Sequence, residues 1–328
     1  MRNPRFWLVV QMLAVALLAA GAGLLRPRTA YDTQSYIETA EAGPRELLSG
    51  FRTLGYPLVL KAVKPLSPDY RLVPWIQLGA HFLAVFVFEI ALRRFGASPW
   101  QAVAASSGLL YTVINDQSVA LLLTDSLGRT MAMATIALVF WVSAAPRRLL
   151  PWVGLALALA SAYQVRPAYL FLLPLVPCLG LVLLRIRSAW ADEPFGWLRH
   201  TLLLAAVSVL PYVAFCLLRL ILVGHFGLVS YAGLNLSGIT MEFLDHKTIE
   251  TRLPESWRPF ARELLAERER LGLESPLNSR GIDLYRWRRN YNPNAWDAAY
   301  PTVIRMYGDD PVVVNEKLGG ISRALIVA

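Results

Sequence analysis

Three charged side chains in this 328-residue chain stand where their type and spacing could do chemistry. Asp32 lies in Tyr31-Asp32-Thr33-Gln34-Ser35-Tyr36, just beyond the first apolar run. A carboxylate in the aqueous zone beside a membrane helix can act as a general base toward a hydroxyl or amine, or can ligate a hard cation. Asp-Thr-Gln-Ser is also good helix-capping chemistry. Asp125, in Leu121-Leu122-Leu123-Thr124-Asp125-Ser126, falls within an apolar stretch. A carboxylate there costs on the order of 2.5–3.5 kcal/mol and persists where it faces a polar cavity or a partner. Arg129, at i+4, is such a partner on the same helical face, so a buried Asp125–Arg129 pair and a site role are both open. Arg166, in Gln164-Val165-Arg166-Pro167-Ala168, occupies a turn between two apolar runs. Its guanidinium fork suits phosphate oxygens; snorkelling to lipid headgroups is the plainer alternative. Arg52 and Arg219 carry the same two readings, whereas Glu89, four residues before Arg93, reads as an ordinary helix pair.

The elements that must hold these residues are apolar. Hydrophobic residues make up 55% of the chain and charged residues 17%, and the mean hydropathy is +0.43. These values lie outside the usual soluble range. Apolar runs occur near Phe6–Leu25, Leu72–Leu92, Pro99–Ile114, Val119–Val142, Leu150–Tyr163, Ala168–Leu184 and Thr201–Gly224. A bilayer core of roughly 30 Å takes about 20 helical residues, so the third and fifth runs are short. The expectation is an all-α polytopic membrane protein of about seven transmembrane helices. Arg2 and Arg5 followed by an apolar core and Ala19-Ala20-Gly21-Ala22 look like a signal peptide, but the length of the run favours an uncleaved anchor. Cys178 and Cys216 fall inside apolar runs and read as small buried side chains.

Basic residues set the expected orientation. With the amino terminus in the cytoplasm, alternate connections carry Arg2/Arg5, Arg93/Arg94, Arg147/Arg148 and Arg185/Arg187/Arg199, against only Asp192 and Glu193. Asp32, Arg52 and Arg166 then lie on the outer side, with Asp125 one to two turns from the outer turn at Asn115. From His225 onward the chain has 13 basic and 13 acidic residues. The formal charge of +9 is therefore mostly the positive-inside signal, and nucleic acid is not an expected partner despite a pI of 9.8.

Two parts are expected: a transmembrane module over 1–224, with a long outer loop over 26–71, and a polar outer segment over 225–328. In the loop, Glu46-Leu47-Leu48 and Leu58–Val63 read as interfacial helical pieces broken by Gly50, Gly55 and Pro65. In the last segment, Pro259–Leu271 has helical periodicity, with Phe260, Leu264 and Leu265 on one face. Tyr285, Trp287, Tyr291, Trp296 and Tyr300 then alternate with Arg286, Arg288 and Arg289. Ile321–Ala328 begins an apolar pattern that reads as a further helix cut short. No Walker loop, G-x-G-x-x-G, G-x-S-x-G or H-E-x-x-H is present, which disfavours nucleotide-driven and serine-hydrolase chemistry. His81 and His200 lack companions at ligand spacing.

With these residues in place, the chain resembles the type C membrane glycosyltransferases, especially the bacterial protein O-mannosyltransferase and aminoarabinose-transferase group. The resemblance rests on the acidic first loop at Tyr31–Ala40, the Arg-x-x-Gly-Tyr-Pro element Arg52–Pro57, the Thr124-Asp125 pair and Arg166-Pro167. It implies inverting transfer of a sugar from a polyprenyl-phosphate-linked donor to a glycan, lipid or protein acceptor, at the outer face of a bacterial cytoplasmic membrane. By the same resemblance, Asp32 would be the general base and Arg166, with Arg52, would hold the leaving phosphate. Asp125 would orient the neighbourhood of Asp32, and Tyr36, Tyr56 and Trp287 would contact acceptor or sugar. A divalent cation, Mg2+ or Mn2+, would fall to Asp32 and Asp125 if one is used. Two other classes stay open: a transporter or lipid-linked glycan flippase, and a non-catalytic membrane subunit that binds a glycan or partner.

Overall fold

The computed structural model describes residues 3–187, 196–273, 277–278, 281–282 and 284–327. It is helical almost throughout. The helices are α1 (Pro4–Gly21), α2 (Thr33–Glu41), α3 (Pro44–Ser49), α4 (Gly55–Val63), α5 (Leu72–Phe95), α6 (Pro99–Leu110), α7 (Thr112–Asp116), α8 (Thr124–Ala144) and α9 (Leu149–Val165). They continue as α10 (Leu172–Arg187), α11 (Gly196–Val223), α12 (Ala232–Thr240), α13 (His246–Thr251), α14 (Arg258–Arg270), α15 (Leu284–Asn292), α16 (Tyr300–Tyr307) and α17 (Pro311–Val327). The one strand pairing among the described residues joins Leu277–Asn278 to Gly281–Ile282.

Among the described residues, five helices are long and apolar enough to cross a membrane: α1, α5, α8, α11, and the helix Pro167–Ile186, made of a 3-10 turn leading into α10. The two short apolar runs emerge as α6, of 12 residues, and α9, of 17. At 1.5 Å per residue α9 reaches roughly 26 Å, just under the bilayer core. Cys216 is buried, but Cys178 is exposed on α10, contrary to the buried reading.

The run expected to start a helix at Val119 does not. Gln117 takes a left-handed conformation (φ 54°), Ser118–Ala120 form a single 3-10 turn, and Leu121 and Leu123 are extended. The amide of Arg28 donates to the carbonyl of Ala120 at 2.8 Å, and that of Leu122 donates to the carbonyl of Arg28 at 3.0 Å. The Gln77 amide on α5 donates to the carbonyls of Val119 (3.0 Å) and Leu121 (3.1 Å). With these backbone groups already satisfied outside a helix, α8 starts five residues late, at Thr124. Asp125 therefore sits in its first turn, where the helix dipole favours a negative charge.

The chain divides into two compact units, one of Met1–Gly43 with Thr53–Leu218 and one of Pro44–Arg52 with Arg219–Ala328. In the first, α5 packs against α6 and α8, and α8 against α9. Glu89 is fully buried and holds two helices, not only its own. The Arg5 Nε on α1 donates to both its carboxylate oxygens (3.2 and 3.1 Å), while Arg93 approaches at 3.4 Å.

In the second unit, α14 forms as its periodicity predicts and buries Phe260, Leu264 and Leu265. The apolar residues after Gly320 are the last turns of α17, whose Val314, Leu318, Ile321 and Leu325 join that core. Helices α12 and α17 cross closely because Gly233 has no side chain: a Cβ there would lie 2.1 Å from the Asn315 carbonyl oxygen. At the centre, Arg268 donates to Asn294 Oδ1 (3.0 Å), the Leu244 carbonyl (3.3 Å) and Glu242 (3.2 Å), and Asn294 donates to Glu242 (2.6 Å). Burial pushes the Glu242 carboxyl up, while Arg268 and the Asn294 and Asn290 amides pull it back. Removing one member of a buried ion pair costs about 3–5 kcal/mol, because the other charge stays desolvated. Arg268→Ala is expected to destabilise the protein by that amount, and Arg268→Met combined with Glu242→Leu to recover most of it, in thermal unfolding of the full chain in detergent.

Candidate functional site

Three segments of the first unit converge on the start of α8. The first is the stretch before α2. The Thr33 hydroxyl donates to the Leu122 carbonyl at 3.2 Å and accepts from the Ala30 amide at 2.8 Å, which fixes the beginning of α2 three residues upstream of Asp125. Asp32 occupies the N-cap position of α2, yet its side chain makes no capping bond. It is exposed, and its carbonyl accepts from the Ser35 hydroxyl at 2.8 Å. The capping explanation for this carboxylate therefore fails.

The second segment is Thr53–Pro57. The Thr53 hydroxyl donates to the Val165 carbonyl at 3.3 Å. A Cβ on Gly55 would sit 2.7 Å from the carbonyl carbon and oxygen of Gln164, so the two backbones touch here only because residue 55 is glycine. Tyr56 is fully buried and meets Tyr36 edge to face at 5.4 Å, in a cluster with Leu60, Leu122, Leu127 and Val165. Both rings are engaged in packing, where the resemblance implies contact with acceptor or sugar. Burial, with Tyr36 and Asp125 nearby, pushes the Tyr56 phenol well above its ordinary range, and its hydroxyl is buried without a hydrogen bond.

The third segment is the turn between α9 and α10. Here the Arg166 guanidinium pairs with the Asp125 carboxylate. Both groups are partly open, with side-chain exposures of 39% and 45%. Asp125 does not pair with Arg129 as the i+4 spacing suggested. Asp125, in the first turn of α8, meets the α9–α10 turn instead. Arg129 reaches back instead to Asp116, just before the left-handed Gln117, and donates to Ser118 Oγ at 3.1 Å. The Tyr169 ring lies over Gly128, where a Cβ would come within 2.7 Å of it and 3.4 Å of the Arg166 Cβ.

Beside this cluster is an almost wholly apolar cavity of about 680 Å³. Leu58, Ile76, Leu127, Met131 and Phe215 line it, and Gln164 and Val165, the two residues before Arg166, form part of its wall. A partly open ion pair next to an apolar cavity can receive an amphiphile, its anionic end on the arginine and its tail in the cavity.

The other candidates belong to the second unit. Arg52 is half-buried. Arg219 is fully buried. It donates to the carbonyls of Leu48 (2.7 Å) and Gly227 and to Ser230 Oγ (2.9 Å). Its fork is a structural clasp, which replaces the phosphate and headgroup readings. The side chain of Trp287 lies outside the described residues. Tyr291 donates to Asn235 at 2.7 Å, and Trp296 packs with Tyr231 and Tyr300. For a divalent cation the donor set does not fit: Asp125 is neutralised by Arg166, and no three His, Cys, Asp or Glu side chains gather among the described residues, where a hard cation needs about six oxygens. Sequence reasoning passed over Thr33, Gln77 and Asp116. Only Gln77, an amide within an apolar run, carried a visible signal.

Gly55→Ala is expected to force the Thr53–Pro57 segment off the Gln164–Val165 backbone, costing about 1–3 kcal/mol of stability. A lowered melting temperature in detergent, with a more accessible Tyr56 ring in quenching experiments, checks this.

Comparison with protein families, with curated proteins and with solved structures finds no match to this chain.

Proposed function

We propose that the protein is a membrane glycosyltransferase that moves a sugar from a polyprenyl-phosphate-linked donor to a glycan, lipid or protein acceptor at the outer face of a bacterial cytoplasmic membrane. The observation that carries the reading is the partly open Asp125–Arg166 pair beside the 680 Å³ apolar cavity. A prenyl tail fits apolar walls, and a phosphate suits a guanidinium that can exchange its carboxylate partner for phosphoryl oxygens.

In this scheme the acceptor hydroxyl attacks the anomeric carbon of the donor. Asp32, exposed and not engaged in capping, takes the hydroxyl proton as the new carbon–oxygen bond forms. The bond from the anomeric carbon to the phosphate oxygen breaks, its electron pair stays on the phosphate, and Arg166 stabilises that charge. Attack opposite the leaving group inverts the anomeric centre. When the phosphate engages Arg166, Asp125 is released to orient the acceptor beside Asp32. About seven crossings with a cytoplasmic amino terminus put this cluster on the outer side, with α6 and α9 as the two short crossings.

Asp32→Asn is expected to lower sugar transfer in membranes by roughly 10²–10⁴-fold while leaving donor binding intact, since a general base contributes on that order. Arg166→Gln is expected to weaken donor binding as well. Unchanged turnover in Asp32→Asn removes the catalytic assignment, and transport of the lipid-linked sugar without a covalent product would make the protein a flippase.

A further inference from the structure

Asp125 and Arg129 are four residues apart on one face of α8, so their Cβ atoms lie roughly 5–6 Å apart. Arg166 is bound at Asp125, which places its guanidinium on that same face. Both guanidiniums act electrostatically on the Tyr169 phenol, whose ring lies against Gly128, so two cationic forks gather around one ring. Each is held by a carboxylate and each is partly open: the Arg129 side chain is 29% exposed and that of Asp116 is 38%. The residues belong to three elements, α7, α8 and the turn before α10, and two arginines against two aspartates leave the cluster neutral. One phosphoryl group needs only one such fork; two forks around one ring suit two linked phosphoryl groups.

We propose that Arg129 is a second phosphate-contacting residue of the Asp125–Arg166 site, and that the anionic head this site selects is a diphosphate. The inference rests on the reading of that site as the seat of a lipid phosphate, and adds to it which carrier is used. The phosphate bonded to the sugar takes Arg166, and the phosphate bonded to the prenyl chain takes Arg129, each displacing its aspartate. Sugar transfer then leaves a prenyl diphosphate, formed by cleavage of the anomeric carbon–oxygen bond with the electron pair retained on the diphosphate. Arg129 sets specificity and takes no part in proton transfer.

Binding of farnesyl phosphate and farnesyl diphosphate to the purified full chain in detergent tests this, because the two probes share one tail. The wild type is expected to bind the diphosphate about tenfold more tightly or better, the scale of one charge-assisted contact. Arg129→Gln is expected to bring the two affinities within about twofold of each other without weakening the monophosphate. Because Arg129 also ties down Asp116 and Ser118, Asp116→Asn is the companion variant: it keeps the arginine, removes its competing carboxylate, and is expected to tighten diphosphate binding. Equal affinities in the wild type, an equal loss of both probes in Arg129→Gln, or no gain in Asp116→Asn overturns the diphosphate assignment. If Arg166→Gln abolishes two equal affinities, the lipid-phosphate site stands and only the diphosphate falls. If neither probe binds the wild type, both readings fall together.

Discussion

Backbone groups that water cannot reach must find partners inside the protein, and everything at the candidate site follows from how residues 117–123 meet that demand. A helix would satisfy them automatically. Here the left-handed Gln117 interrupts the helical path, and the carbonyls of Val119, Ala120, Leu121 and Leu122 are taken instead by Gln77, Arg28 and Thr33. Each donor comes from a different element. The cost of leaving the helix thus becomes the reason that the first loop, α5 and the approach to α8 are held together. Asp32 inherits its place from Thr33, and Asp125 from the late start of α8.

The second constraint is steric. Gly55 brings the first loop against the Gln164–Val165 backbone at a distance that no other side chain tolerates. The neighbouring Tyr36 and Tyr56 rings fill the space behind it. Hydrogen bonding positions one end of the loop and close backbone contact positions the other, leaving Arg166 and Asp125 partly open, with the two residues before Arg166 in the wall of an apolar cavity.

Much of the helical content was legible in the sequence, because long apolar runs and the periodicity of α14 report burial directly. The amphipathic pieces of the first loop were legible for the same reason. What could not be read was pairing between distant residues. An i+4 spacing made Arg129 a ready partner of Asp125, but spacing along one helix does not report the competing partners that other elements bring, here Arg166 for Asp125 and Asp116 for Arg129. Arg219 looked like a phosphate ligand because an arginine advertises its charge and not its neighbours; two carbonyls and a serine use its donors. Glu89 looked local for lack of any sign that Arg5, 84 residues earlier in the chain, would reach it. Tyr36 and Tyr56 could not be told apart from exposed aromatics, since a tyrosine serves a core and a binding surface equally well.

The clasp at Arg219 has a further bearing on how the protein is assembled. By tying Leu48 to Gly227 and Ser230, it makes the short stretch Pro44–Arg52 part of the second unit, although the chain on either side of it belongs to the first. The polypeptide consequently passes between the two units three times, at 43/44, 52/53 and 218/219. The segments of the two units are interleaved along the sequence, not strung in tandem. A single proteolytic cut at any one of these passages leaves them covalently joined, and neither can be excised as one continuous fragment. The nine-residue excursion can meet its partners at Arg219, Gly227 and Ser230 only after more than 160 further residues have been synthesised.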